Sequence, residues 1–230
     1  MKNSVIIYSG GMDSTTLLHH YKDDIALAIS FDYSSNHNDR EYSYAKQHTE
    51  QLGIEHIRID VTSAMSSFNS ALLNGAEAIP EGHYDEDSMA KTVVPFRNGI
   101  MLSLAAGIAE SRGLENLLIA NHFGDDAQYP DCRASFIDPM QEAIKAGTSN
   151  GVQLRAPYTS VTKEEIALLG FALNIDYSTT WSCYKADEDI HCGKCGTCVE
   201  RVWALRHFGD PTDYKDKAYA INLLKETGEW

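Results

Sequence analysis

A short apolar run, Val5-Ile6-Ile7-Tyr8, feeds directly into Ser9-Gly10-Gly11-Met12-Asp13-Ser14, and a helix-like segment follows from about Ser14 to Tyr21. This order constrains the fold more than any other feature of the chain. A buried strand, a glycine turn and a helix in succession are the opening unit of a parallel α/β sheet. Gly10 and Gly11 allow tight backbone geometry and the close approach of an anion. The helix then points its free N–H groups and the positive end of its dipole at that anion. Ser9, Ser14 and Thr15 add hydroxyl donors, while Asp13 suits an anion site if it orients the loop or binds a Mg2+ that bridges phosphates. The loop lacks the lysine of G-x-x-x-x-G-K-[ST], and its glycines do not follow G-x-G-x-x-G. A plain strand-to-helix turn with a capping serine would need only two glycines and a serine. Phosphate binding is therefore argued from all three parts standing in order.

The remaining pattern repeats the alternation. Apolar or alternating runs at 25–31, 56–61, 117–120 and 152–155 predict strands, and helical spacing occurs at 39–52, 98–111, 134–146 and 163–172. The expected fold is α/β, with a parallel sheet covered on both faces. Residues 62–95, with Asn74-Gly75, Pro80, Glu81-Gly82 and the acidic Asp85-Glu86-Asp87, are the least regular stretch. A connection this long is often a lid or a partner surface, or else a solvated insertion.

Composition limits the function classes. A hydrophobic fraction of 43% with 23% charged residues is that of an ordinary soluble domain. The apolar runs look shorter than the ~20 residues of a membrane span, and no export leader is legible after Met1, so a cytoplasmic location is expected. The net charge of −14 disfavours a lasting nucleic-acid complex, which would need phosphates neutralised by Lys and Arg. Small molecules are the expected partners, with no nucleic acid and no membrane.

Five cysteines divide unequally: Cys132 is alone, whereas Cys183, Cys192, Cys195 and Cys198 crowd together. Four soft ligands with two C-x-x-C steps suit one structural Zn2+ per chain, with no open position for catalysis. An iron–sulfur cluster and a redox dithiol are the alternatives. Lys194 and Arg201 are placed to offset the charge of such a complex, Cys132 reads as packing, and metal loss should cost stability more than chemistry.

The loop resembles the PP-loop of the ATP pyrophosphatases. The later motifs narrow this: Phe31-Asp32-Tyr33 with His37, Val94-Pro95-Phe96-Arg97-Asn98, Tyr129-Pro130-Asp131-Cys132, and Asp176 to Tyr184 followed by His191 to Cys198. In collinear order they are similar to the 7-cyano-7-deazaguanine synthases over nearly the whole chain. That resemblance implies a Rossmann-like sheet of the adenine nucleotide alpha-hydrolase type over 1–175 and a zinc-knuckle region over 176–230. It also implies a homodimer and the ATP-dependent conversion of 7-carboxy-7-deazaguanine and ammonia to the nitrile, through an adenylated acid and an amide. A relative that stops at the amide or activates another carboxylate is the competing reading. Departures from the family pattern occur at Tyr33-Ser34-Ser35 and at His122 to Gln128, where the base or ammonia should bind.

Under that resemblance ATP is held by Tyr8, Ser9, Gly10, Gly11, Met12, Asp13, Ser14 and Thr15, with Phe31 and Asp32 as the adenine shelf. Asp13, Ser14, Lys163 and Arg97 are the expected catalytic groups, Lys163 facing the α-phosphate. His37, Arg97, Asn98, Tyr129 and Asp131 are the expected substrate contacts. Asp131 is assigned to the guanine-like edge, because a carboxylate accepts two hydrogen bonds there.

Overall fold

The computed structural model describes residues 2–73, 78–83, 87–185 and 189–230. The acidic run at 85–87 and Asn74-Gly75 fall largely outside those residues. Five strands, β1 (Ser4–Ile7), β2 (Ile25–Asp32), β3 (Glu55–Asp60), β4 (Asn116–Leu118) and β5 (Gln153–Arg155), form one sheet in the order β3-β2-β1-β4-β5. All four pairings are parallel. The connecting helices are α1 (Met12–His20), α2 (Asn38–Leu52), the short α3 (Thr62–Met65), α4 (Arg97–Ser111), α5 (Ala134–Gly147) and α6 (Lys163–Ala172). Two more, α7 (Gly196–Leu205) and α8 (Lys217–Thr227), close the chain. The fold is Rossmann-like α/β.

Alternation along β1 shows how the sheet is covered. Val5 and Ile7 face a core completed by Leu102 and Ala105 of α4 and by Ile137 and Ile144 of α5. Ile6 and Tyr8 face a second core with Leu17 and Leu18 of α1, Ala45 of α2 and Ile166 of α6. A period of two places successive side chains on opposite faces, so a strand buried on both sides reads as a continuous apolar run.

Three details depart from expectation. Helix α1 begins at Met12, two residues early, and its N-cap is Gly11 with no side-chain cap, which goes against the plain turn with a capping serine. The segment Met89–Ser111 is long and apolar enough to cross a membrane by length and composition, contrary to the sequence reading. It joins a 3-10 turn (Asp87–Thr92) to α4, whose Met101, Leu102, Ala105, Ala106 and Ala109 are buried in the core. Residues 62–95 are also less irregular than expected, since they contain α3 and that 3-10 turn.

Because β1 has β2 on one side and β4 on the other, its carboxyl end is the point where strand order reverses, and a crevice opens there. The C-terminal segment docks onto this edge: Trp181 N–H donates to the Gly10 carbonyl at 3.0 Å.

Candidate active site and metal centre

The glycine loop is held open by its neighbours. Gly10 has φ +84°, and a Cβ on it would lie 2.5 Å from the Glu41 main-chain oxygen and 2.7 Å from Ala45 N, so no other residue fits. Ser9 Oγ accepts from Gly11 N–H at 3.2 Å and lies 3.0 Å from Ser14 Oγ. With no side chain capping α1, its first-turn N–H groups face the cleft. Tyr8, Ser9, Gly11, Met12, Asp13 and Ser14 line that cleft, together with Phe31, His37, Arg97, Asn98, Tyr129 and Lys163.

At the loop end the side chains form a charged cluster. Lys163 Nζ lies 3.1 Å from Asp13 Oδ2 and 2.6 Å from Glu200 Oε2. His122 Nε2 sits 3.5 Å from Asp125, 3.7 Å from Glu200 and 3.8 Å from Asp13 carboxylate oxygens. Burial works against ionised Asp13, but Lys163 and His122 outweigh it and hold the carboxyl below its ordinary value. Burial likewise opposes charge on Lys163, yet Asp13 and Glu200 keep its ammonium above the usual lysine range. Asp13 Oδ1 is buried without a hydrogen-bond partner. An orphaned carboxylate oxygen beside a phosphate loop fits a Mg2+, which typically takes one or two carboxylates plus phosphate oxygens.

The other end surrounds one guanidinium with phenols. Arg97 donates to Tyr33 Oη at 3.2 Å and lies 5.7 Å and 5.9 Å from the ring centres of Tyr33 and Tyr129. Tyr129 Oη contacts Tyr184 Oη at 3.2 Å and Thr92 Oγ1 at 3.1 Å. Burial raises the Tyr33 and Tyr184 phenols, so they remain neutral. Burial, aided by Arg97, pushes His37 down to about 3. Phe96, immediately before Arg97, adopts a left-handed φ of +52°, and its ring closes against Gly99. This strained entry fixes where α4 begins, and so where Arg97 projects.

Several expected residues take other places. Asp131 does not line the cleft; its Oδ2 accepts from Asn98 N–H at 2.8 Å and so satisfies a first-turn donor of α4. One oxygen of the expected base reader is thus engaged in capping. Asp32 pairs with Arg58 at 2.6 Å, and it is Arg58 that lines the cleft. Gly10 packs on α2, and Thr15 Oγ1 contacts Tyr8 Oη at 3.1 Å. Cys132 is buried and lines the cleft, with Asn98 Nδ2 donating to its sulfur at 3.1 Å. Sequence reasoning missed Glu200 and Glu41 as site residues, and noted His122 only as part of an altered loop. Glu200 is one helical turn beyond Thr197, which lines the cleft, on the same face of α7, and no local sequence signal marks either residue.

The four clustered cysteines can hold a metal. Their sulfurs all lie within 4.8 Å of one another, and Cys192 Sγ and Cys198 Sγ are 3.9 Å apart. A tetrahedron with Zn–S bonds of about 2.3 Å has edges of about 3.8 Å, so the set fits Zn2+. Arg201 makes its hydrogen bonds to neutral groups rather than to the thiolates. It is fully buried and bonds Thr212, Ser182 and the Tyr177 carbonyl, while Lys194 pairs with Asp216. The knuckle also reaches both ends of the cleft. Tyr184 follows Cys183 into the phenol cage, and Glu200 follows Cys198 to Lys163.

The family model for queuosine biosynthesis protein QueC matches residues 3–209. A 7-cyano-7-deazaguanine synthase of Porphyromonas gingivalis is 59% identical over 216 residues, 93% of this chain and 98% of that protein. Similarly named proteins of Desulfotalea psychrophila and Methanoregula boonei are 47% and 43% identical, over 90% and 92% of this chain and 95% and 99% of theirs. An NMN synthetase structure from Francisella tularensis has a TM-score of 0.48 at 11% identity, covering 98% of this chain and 85% of that one, too distant to carry an argument. With similarity running from β1 through the cysteine knuckle, the chain belongs to the QueC family of queuosine biosynthesis enzymes.

Proposed function

We propose that the protein is an ATP-dependent carbon–nitrogen ligase that converts 7-carboxy-7-deazaguanine and ammonia to 7-cyano-7-deazaguanine. The observation that carries this reading is the cleft itself. A phosphate loop with an orphaned carboxylate oxygen opens into the same space as a partly buried guanidinium that has no ion-pair partner among the described residues. ATP and an organic acid are the two anions such a cleft would bring together.

A carboxylate is a poor electrophile until one of its oxygens becomes a leaving group. The uncapped N-terminus of α1 and the Ser9 and Ser14 hydroxyls hold the pyrophosphate portion of ATP, and Phe31 at the end of β2 offers a surface for adenine. Arg97 orients the acid for attack on the α-phosphorus, which forms the acyl-adenylate and releases pyrophosphate. Lys163, anchored by Glu200, faces the charge that develops on the phosphate. Mg2+ at Asp13 would supply neutralising charge to the phosphates. Displacement of AMP by ammonia gives the amide, and a second activation at the amide oxygen followed by loss of AMP gives the nitrile. Tyr129, which lies beside Arg97, would stack on the heterocycle. Zn2+ on Cys183, Cys192, Cys195 and Cys198 would fix the segment that delivers Tyr184 and Glu200. A homodimer in the cytoplasm completes the reading.

Incubation with ATP, Mg2+, ammonium and 7-carboxy-7-deazaguanine, followed by mass spectrometry, tests it. Nitrile is expected. Accumulated amide would replace this reading with an enzyme that stops one step earlier, and absence of ATP turnover with any deazaguanine acid would refute both.

A further inference from the structure

Glu41 belongs to neither end of the cleft. It lies in the first turn of α2, and its Oε1 is 3.9 Å from His37 Nε2. Its main-chain oxygen backs onto the phosphate loop, 2.5 Å from where a Cβ on Gly10 would stand. Its side chain, 18% exposed, lines the cleft with Arg97 and Tyr33. Glu41 therefore stands between loop and guanidinium, where acid and α-phosphate must meet. Among the described residues none is a fixed charge partner within ion-pair distance of its carboxylate. His37 is neutral and its buried Nδ1 has no hydrogen-bond partner, Tyr33 and Tyr184 are neutral phenols, and Arg97 faces Glu41 from the start of α4.

The reaction proposed above must dispose of protons at this place. In neutral water ammonia is present almost wholly as ammonium, which has no lone pair with which to attack. We infer that Glu41 is the general base that takes protons from the nitrogen substrate, an inference that rests on the proposed ligase reading. Its carboxylate removes one proton from ammonium. The freed lone pair forms the C–N bond at the acyl carbon, the C–O bond to AMP breaks, and AMP leaves with the electron pair. The second excess proton on nitrogen passes to water, leaving the neutral amide. After the amide oxygen has displaced pyrophosphate from a second ATP, the nitrogen gives one proton to water and one to Glu41 as AMP departs. Nothing is oxidised or reduced, and Glu41 returns its proton to solvent each time. Burial pushes this carboxyl up to about 8, against the opposing effect of Arg97. A base in that range is matched to work near neutral pH.

The test compares wild type and Glu41→Gln, as full-length metal-loaded protein, in three assays. These are acid-dependent exchange of pyrophosphate into ATP, amide formation from ammonium, and hydroxamate formation from hydroxylamine, which is already the free base at neutral pH. Exchange and hydroxamate formation should stay close to wild type. Amide formation should fall by about 100-fold or more, the usual range for losing a general base, and recover in part at alkaline pH where free ammonia accumulates. Equal slowing of ammonia and hydroxylamine, unchanged amide formation, or loss of exchange in the variant alone would overturn the inference. Absence of exchange in the wild type would instead overturn the ligase reading, and this inference with it.

Discussion

The two ends of the cleft follow opposite electrostatic plans. At the loop, Asp13, Asp125 and Glu200 crowd around Lys163 and His122, so negative charge is in excess where phosphates would bind. At the other end Arg97 has phenols and a neutral histidine around it, and no ion-pair partner among the described residues. The first end needs an added cation before it can accept an anion, whereas the second is ready for one. Under the proposed function, that difference sorts a metal-bound nucleotide from a free organic acid. The cysteine knuckle ties the two plans together, because its flanking residues Tyr184 and Glu200 serve one end each.

Stripping the metal should therefore break both ends at once, and it carries the largest expected effect. Chelation, or Cys192→Ser, should lower Tm by about 10 °C or more and abolish acid-dependent pyrophosphate exchange. Metal analysis should find one zinc per chain, and full activity in zinc-free protein would separate the knuckle from the cleft. Asp13→Ala attacks the loop end alone. It should reduce kcat by about 1,000-fold with unchanged circular dichroism, because Mg2+ loses its carboxylate and Lys163 its loop partner. Arg97→Lys attacks the other end: charge is kept but the planar fork is lost, so KM for the acid should rise about 10- to 100-fold while KM for ATP holds. A rise in the ATP value instead would reverse the assignment of the two ends.

Smaller effects sharpen the comparison. Asp131→Ala should cost about 1 to 2 kcal/mol of stability by uncapping α4, with KM little changed. A large KM effect at unaltered stability would return Asp131 to base recognition. The pH dependence of stability separates histidines of lowered pKa from Glu41. His19 and His56 are pushed down to about 4, and His37 and His191 to about 3, each chiefly by burial. Between about pH 4 and 6.5 the unfolded chain binds more protons at these sites, so stability rises with pH. For Glu41 the folded state holds the extra proton from about pH 4.5 to 8, so its contribution falls as pH rises, outweighed by the histidines below pH 6.5 and left visible above it. Denaturant titrations across that range should show a maximum near pH 6.5, and Glu41→Gln should flatten the alkaline decline.

The loop end was largely legible in the sequence because one contiguous stretch, Tyr8 to Ser14, carries both its strand–turn–helix signal and much of the cleft lining there. The cysteine cluster was legible for the same reason, since the spacing of Cys192, Cys195 and Cys198 is local. The order of strands and helices also followed from periodicity, with boundaries moved by a residue or two where β4 stops at Leu118 and α1 starts at Met12. The Arg97 cage was only partly visible. It collects Tyr33, Thr92 with Arg97, Tyr129 and Tyr184 from four separate segments, and nothing local tells a caged tyrosine from a core one. Asp131 was ambiguous in the sequence because a carboxylate after a proline suits both a capping role and a base contact, and the Asn98 N–H at 2.8 Å shows the capping role for one of its oxygens. Glu41 and Glu200 look like ordinary helix-surface acids until packing turns them inward.

The central claim is that this cleft joins ATP to a carboxylate through an acyl-adenylate. The most direct test uses 7-carboxy-7-deazaguanine labelled with oxygen-18 in both carboxylate oxygens, with ATP, Mg2+ and ammonium, and mass spectrometry of every product. Adenylation of the acid and then of the amide predicts two AMP molecules per nitrile, each carrying one labelled oxygen, and unlabelled pyrophosphate. Label in inorganic phosphate, or unlabelled AMP alongside product, would contradict the account.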